Sequence, residues 1–180
     1  AIFIDDSFAE RKEIFENTEL RVYLSIIIIS VLIVAFSILP QYGNFFTSLR
    51  YSAFQVVSII TTTAFATADF AQWAAPAQMV LFFLMFVGGC SGSTGGSIKV
   101  VRWVVMFKQM ANEIRRMLHP HGVFSIRLNG RAGRKDLVYS VSAFIFLYLM
   151  LVLITALVAS FDGADVITSF TASLATVGNI

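Results

Sequence analysis

The chain reads as an all-α integral membrane protein built on a repeated order of outer helix, re-entrant half-helix, extended loop and inner helix. Three observations carry that reading. Hydrophobic residues make up 57% of the 180-residue chain and charged residues only 13%, about half the charged share of a soluble domain. Two apolar runs, 22–39 and 137–159, are long enough to cross a hydrocarbon layer of about 30 Å, which takes roughly 20 helical residues. Each run is followed by a short apolar segment and then by a threonine-bearing stretch, in the same order both times.

Residues 1–21 are polar and acid-rich, which suits an interfacial or solvent-facing helix and lacks the apolar core of a removable signal peptide. The chain opens without Met and stops just after Thr176-Val177-Gly178-Asn179, so it is expected to be a segment of a longer polypeptide. In 22–39 the only polar side chains are Tyr23, Ser25, Ser30 and Ser37, and the run covers about 27 Å at helical rise. Pro40, Gly43 and Asn44 are expected to end it. The stretch 51–60 is too short to span and suits a half-helix. Thr61, Thr62 and Thr63, β-branched and polar, continue a helix poorly. Their irregular backbone would be tolerated at membrane depth only against protein or a water-filled cavity.

A second long helix is expected from Pro76 through Met85. Gly88, Gly89, Cys90, Ser91, Gly92, Ser93, Thr94, Gly95, Gly96 and Ser97 interrupt it before Ile98 resumes an apolar stretch. So many glycines make an unbroken helix unfavourable, and the segment reads as a span broken at membrane depth. Residues 108–135 form a basic connector with turns at His119-Pro120-His121-Gly122 and Asn129-Gly130-Arg131-Ala132-Gly133. The span 137–159 follows, Asp162-Gly163 turns the chain, and 166–174 make a second half-helix. Laying Ser58 through Phe65 on Ala172 through Asn179 sets Thr62 against Thr176 and Ala64 against Gly178. The expected divisions are therefore an interfacial helix at 1–21, a first unit at 22–107, the connector at 108–135 and the start of a second unit at 136–180.

Charge agrees with this order. Nine of the 13 Lys and Arg residues lie between Lys99 and Lys135, with Glu113 as their only acidic companion, which marks a cytoplasmic loop. No DNA- or RNA-binding module surrounds the basic run, so nucleic acid is not an expected partner. A single Cys90 excludes an internal disulfide framework and a Cys-rich metal site. His119 and His121 are too few to hold a metal alone. No nucleophile and base pair is apparent, so the chain is not read as an enzyme. The glycine-rich segment lacks the G-x-x-x-x-G-K-[ST] spacing of a nucleotide-binding loop. Trp73 and Trp103 read as interface anchors or packing groups.

What the loops can do is shed a cation's water. Backbone carbonyls can replace the hydration shell, and helix C-terminal ends supply negative potential. Thr176-Val177-Gly178 suits this, because glycine permits the backbone angles that aim consecutive carbonyls inward. Thr62-Thr63-Ala64 matches except at the glycine position. Two readings of Ala64 stand open here: ordinary backbone angles, or a left-handed residue carrying a penalty of about 1 kcal/mol. The 88–97 segment reads as a flexible constriction, with a packing kink as its plain alternative. Lys99 and Arg102 are candidate gate-proximal basic residues that either approach carbonyls or snorkel to the interface. Asp69, Asp162 and Asp165 either concentrate cations at an outer mouth or are solvated loop acids.

Thr61 to Phe70, the run from Gly88 to Arg102, and Thr176-Val177-Gly178-Asn179 together make the chain resemble the TrkH/KtrB superfamily of potassium transporters, the TrkH branch in particular. The resemblance implies a potassium-channel-like fold of four nonidentical repeats, each with outer helix, pore helix, filter loop and inner helix. This chain is similar to the third repeat and the first part of the fourth, and is therefore incomplete. By position, Thr62, Thr63, Ala64 and Phe65 would form one filter and Thr176, Val177, Gly178 and Asn179 the next, with K⁺ held there as the transported ion and no cofactor. Gly88 through Ser97 would be an intramembrane gating loop. The family ordinarily has glycine where Ala64 stands.

The resemblance further implies K⁺ uptake by a multi-pass protein of the bacterial plasma (inner) membrane, surrounded by lipid. It implies a homodimer and a cytoplasmic ring of nucleotide-binding regulatory subunits. Two rival readings are an ion-coupled secondary transporter of another solute and a non-conducting membrane structural subunit.

Overall fold

The computed structural model describes residues 17–118, 127–128, 131–132, 135–161 and 163–180. Most of the expected helix over 1–21, together with His119, His121 and Asp162, lies outside the described residues, and the expected turn at 129–133 is described only at Arg131 and Ala132.

Helix α1 runs Thr18–Tyr42 and is capped by Asn17, whose side chain accepts from the Glu19 amide at 3.0 Å. It passes through Pro40, which the sequence reading placed at the break. Of the three expected breakers, Gly43 is the one that stops it, at a φ of 66° that lets its N–H reach the Leu39 carbonyl at 2.9 Å. Ser30, Val34, Ala35 and Ile38 are buried on one face, while Ile28, Ile29, Leu32, Ile33 and Phe36 are exposed. Such all-round apolarity belongs to a helix in lipid or deep in a larger assembly.

Helix α2, Phe45–Ile60, starts earlier than expected because Asn44 caps it by accepting from the Phe46 amide at 3.1 Å. Its 16 residues make about 24 Å of helix, short of a full crossing. It packs along α1 through a face that buries Ser48, Ser52 and Ser58. Small side chains allow close approach of two helices without a hydrophobic driving force. The serines satisfy themselves locally, with Ser48 Oγ donating to the Asn44 carbonyl and Ser52 Oγ to the Leu49 carbonyl.

After α2 the chain returns through a short 3-10 turn, Phe70–Gln72, tied to the end of α1: Trp73 Nε1 donates to Tyr42 Oη at 3.3 Å, and Gln41 Nε2 to the Gln72 carbonyl at 3.3 Å. Helix α3, Ala75–Leu84, begins with Pro76 in its first turn, where a missing amide costs nothing. It ends at the expected interruption. Strand β1, Val87–Gly88, and strand β2, Ile98–Lys99, pair in parallel with Val87 opposite Ile98 and Gly88 opposite Lys99. Helix α4, Val100–Leu118, then continues the broken span, with Arg115 and Arg116 in its last turn. A second minimal ladder, antiparallel, joins β3, Arg127–Leu128, to β4, Arg131–Ala132. Among the described residues the fold is thus all-α apart from two two-residue pairings.

The long helix α5, Lys135–Ser160, and the short helix α6, Val166–Gly178, repeat the relation of α1 to α2. Here again a hydroxyl face makes the contact, with Ser173 Oγ donating to the Val152 carbonyl at 2.7 Å and pairing with Thr155 Oγ1. One difference from the sequence reading matters. The half-helix expected to stop near Leu174 runs on through Thr176, Val177 and Gly178, so these residues are helical and not extended. Thr176 Oγ1 bonds back to the Ala172 and Ser173 carbonyls at 3.0 Å each, which lets a β-branched residue stay helical. Asn179, at φ 53°, takes the left-handed capping position.

Two apolar cores result. One joins α1, α2 and α3 through Val34, Ile38, Val56, Ile60 and Leu81; the other joins β2, α4, α5 and α6 through Ile98, Val105, Ile145, Val152 and Leu174. The glycine-rich loop lies between them in the chain.

Candidate functional site

The site is assembled from three pieces: the loop after α2, the end of α6, and the glycine-rich segment between β1 and β2. After α2 the chain turns through Thr62 at φ 55° and Ala64 at φ 64°. Both L-residues therefore hold left-handed backbone, and the second of the two readings of Ala64 is the one observed. The turn is fastened by Ser58 Oγ donating to the Phe65 carbonyl at 2.6 Å and by the Thr61 and Thr63 hydroxyls, 2.8 Å apart. Thr63, Ala64 and Phe65 remain exposed, Phe65 by 70%.

The glycine-rich segment threads between this turn and α6. The Gly96 amide donates to Thr62 Oγ1 at 3.2 Å. On its other side Gly96 lies against the Gly178 carbonyl so closely that a Cβ on Gly96 would overlap that oxygen. A Cβ on Gly88 would likewise overlap the Gly96 carbonyl. Ser97, at φ 54°, donates from Oγ to the Met85 carbonyl at 2.8 Å. The glycines at 88 and 96 are thus required by backbone-to-backbone approach, a reason beyond the flexibility read from the sequence.

The C-terminal ends of α2 and α6 both meet the same stretch, 95–97. Each end carries partial negative charge from carbonyls without intrahelical partners. Among the described residues no group of three or more His, Cys, Asp or Glu gathers. Carbonyls and hydroxyls without a carboxylate cluster suit a weakly held monovalent cation better than a tightly bound divalent one.

The tip of the segment is fixed by charge. Glu19 Oε1 accepts from the Ser91 amide at 2.6 Å, and Ser91 Oγ is 2.9 Å from both carboxylate oxygens. Lys99 Nζ donates to the Ser91 carbonyl at 3.0 Å and to the Ser93 carbonyl at 2.9 Å. Lys99 therefore reaches carbonyls at the tip of the loop. Arg102 does otherwise: its guanidinium stacks 3.5 Å from the centroid of Phe144. Cys90 is a free, half-buried thiol.

Glu19 was missed in the sequence because it falls in the stretch read as interfacial. The available signal was an acid in the first turn of a spanning helix, a place where an isolated charge needs a partner. Asp69 is engaged locally: it caps the 3-10 turn through the Ala71 amide at 3.1 Å and accepts from Gln72 Nε2 at 2.9 Å. Asp165 accepts from Thr168 Oγ1 at 2.7 Å at the start of α6.

Comparison with known proteins gives the fold and the family. The solved potassium transporter TrkH from Vibrio parahaemolyticus superposes with a TM-score of 0.85 at 32% identity, covering 92% of this chain and 36% of that one. The Trk system potassium uptake protein TrkH of Salmonella typhimurium is 35% identical over 159 residues, 88% of this chain and 32% of that protein. TrkI of Halomonas elongata, also a Trk system potassium uptake protein, is 33% identical over 170 residues, 94% of this chain and 35% of its own length. The chain spans about a third of the length of these relatives. The family model for TrkH, described as a cation transport protein, matches residues 20–180. With nearly every described helix inside that match, the chain belongs to the TrkH family, multi-pass proteins of the bacterial inner membrane.

Proposed function

We propose that this chain forms part of a K⁺ uptake pathway in which carbonyls of Thr62, Thr63, Ala64 and Phe65, and of Thr176, Val177, Gly178 and Asn179, line a selectivity filter. The segment from Gly88 to Ser97 gates it from below. The observation that carries the proposal is the meeting of two helix C-termini on one glycine-rich segment, beside a turn held in left-handed backbone at Thr62 and Ala64. A cation arriving there exchanges water for carbonyl oxygen in a field of favourable sign. The names of its relatives as potassium uptake proteins support K⁺ as the ion.

The protein's own residues divide the work. The Thr61 to Thr63 hydroxyls fix the turn, the helix ends supply potential, and the glycine segment opens or closes access. In the second unit the Ala175 and Thr176 carbonyls accept from the Ile180 and Asn179 amides at 2.9 and 3.4 Å, and each keeps a second lone pair that can face an ion without unwinding the helix. No catalytic step or cofactor is involved. The partners proposed are a second copy of the protein and a cytoplasmic ring of nucleotide-binding regulatory subunits.

The test is reconstitution of the full-length protein in liposomes, with K⁺ and Na⁺ fluxes measured under matched gradients. K⁺ flux well above Na⁺ flux is expected; saturable movement of an organic solute without K⁺ or Rb⁺ flux would overturn the proposal.

A further inference from the structure

Ser91 is gripped at three of its polar groups by two charged side chains from different elements. Its amide and hydroxyl donate to the Glu19 carboxylate, and its carbonyl accepts from Lys99, which also holds the Ser93 carbonyl. Glu19 comes from the first turn of α1, 72 residues away in sequence, and Lys99 from the strand that closes the loop. Other ties of the loop are neutral: the Gly96 amide to Thr62, Ser97 to Met85, the Ser93 amide to the Cys90 carbonyl, and the Val100 amide to the Gly89 carbonyl. Gly92, next to Ser91, has open space around it. Hydrogen bonds to ionised groups are roughly twice as strong as neutral ones, so the two charges are the strongest individual ties at the tip of the loop.

We propose that Glu19 and Lys99 are positioning residues that clamp the tip of the glycine-rich loop at Ser91 and Ser93, and that releasing this clamp frees the loop to leave the ion path. The proposal rests on the gating role assigned to the loop above. The arrangement suits a switch. Both clamps act on one turn, closed by the Ser93 amide on the Cys90 carbonyl at 2.9 Å, so loss of either loosens the other. Neither clamp touches Thr62, Ala64 or Gly178, so the filter segments can stay in place while the tip moves.

The experiment uses the full-length protein in liposomes without regulatory subunits, as parent and as Glu19→Ala, Lys99→Met, Glu19→Gln and Lys99→Arg variants. Two readouts are taken: Rb⁺ uptake, and the rate at which a membrane-impermeant maleimide labels Cys90, measured on the Cys90-containing peptide. Glu19→Ala and Lys99→Met are expected to raise both by about tenfold, the effect of one charge-assisted hydrogen bond. Glu19→Gln and Lys99→Arg, which keep an acceptor and a charged donor, are expected to fall between these and the parent, showing that the first pair is folded. Unchanged Cys90 labelling in Glu19→Ala and Lys99→Met overturns the clamp. Raised labelling with unchanged uptake in a conducting parent overturns its part in gating. A parent that carries no Rb⁺ under any condition defeats the transport reading by itself, and the labelling rates still decide the clamp.

Discussion

The amide of Gly96 donates to Oγ1 of Thr62 at 3.2 Å, across 34 residues of sequence. This bond joins the turn after the first half-helix directly to the Gly96 end of the glycine-rich loop, so a change at Thr62 is felt at Gly96. Thr62→Val keeps the shape and removes the acceptor, leaving the Gly96 N–H unpaired at a half-buried site. The expected cost is about 1–3 kcal/mol. Thr62→Ser keeps the hydroxyl and is expected to unfold near the parent's temperature. Thermal unfolding in detergent compares the two, and coincident curves for Val and Ser would show that the bond contributes nothing.

At the other side of the same glycine, Gly96→Ala drives a methyl into the Gly178 carbonyl, whereas Gly92→Ala places one in open space. Overpacking of this kind costs about 1–3 kcal/mol, and here the obstacle is backbone. Gly96→Ala is expected to reduce the yield of monodisperse protein several-fold and Gly92→Ala to leave it unchanged. Size-exclusion chromatography of matched preparations reads the difference.

Ala64 sits at φ 64°. Replacing it by glycine removes a left-handed alanine penalty of about 1 kcal/mol, so Ala64→Gly is expected to raise the unfolding temperature. Under the proposed function it also clears a methyl from the ion path, and the ratio of K⁺ to Na⁺ flux in liposomes is expected to rise. A lower ratio in the glycine variant would place Ala64 outside the selective part of the path.

Arg102 and Phe144 couple α4 to α5 through a guanidinium 3.5 Å from the ring centroid. A double-mutant cycle with Arg102→Gln and Phe144→Leu is expected to return a coupling of about 1 kcal/mol. Purely additive losses would show packing without a charge–ring attraction.

What could be read from the sequence was whatever depends on neighbours along the chain. The two spans, the half-helices and the glycine interruption follow from apolar run length and glycine density, and all stand near their expected positions. Boundaries moved where one residue overrode the pattern. Asn44 caps α2 and pulls in residues 45–50 despite Arg50; Pro40 is carried inside α1, which ends at Gly43; and α6 runs four residues past Leu174 to a left-handed Asn179. The contacts that define the site were not legible, because Glu19 with Ser91, Thr62 with Gly96 and Gly96 with Gly178 join residues far apart in sequence. The first joins an acid to a neutral loop, which no charge pattern announces.

The pairing of β1 with β2 changes what kind of object the glycine-rich loop is. Val87 faces Ile98, the Ile98 amide reaches the Phe86 carbonyl and the Val100 amide the Gly89 carbonyl, both at 3.3 Å. The two halves of the broken span are therefore spliced across the base of the loop, and tension along α3 and α4 runs through the splice and bypasses residues 90–96. The tip of the loop is a side branch at this splice. A change in length at the tip, around Gly92 where space is open, would leave the splice and the reach of α3 and α4 unaltered, whereas Gly88 and Gly96 are held to glycine by the backbone they touch.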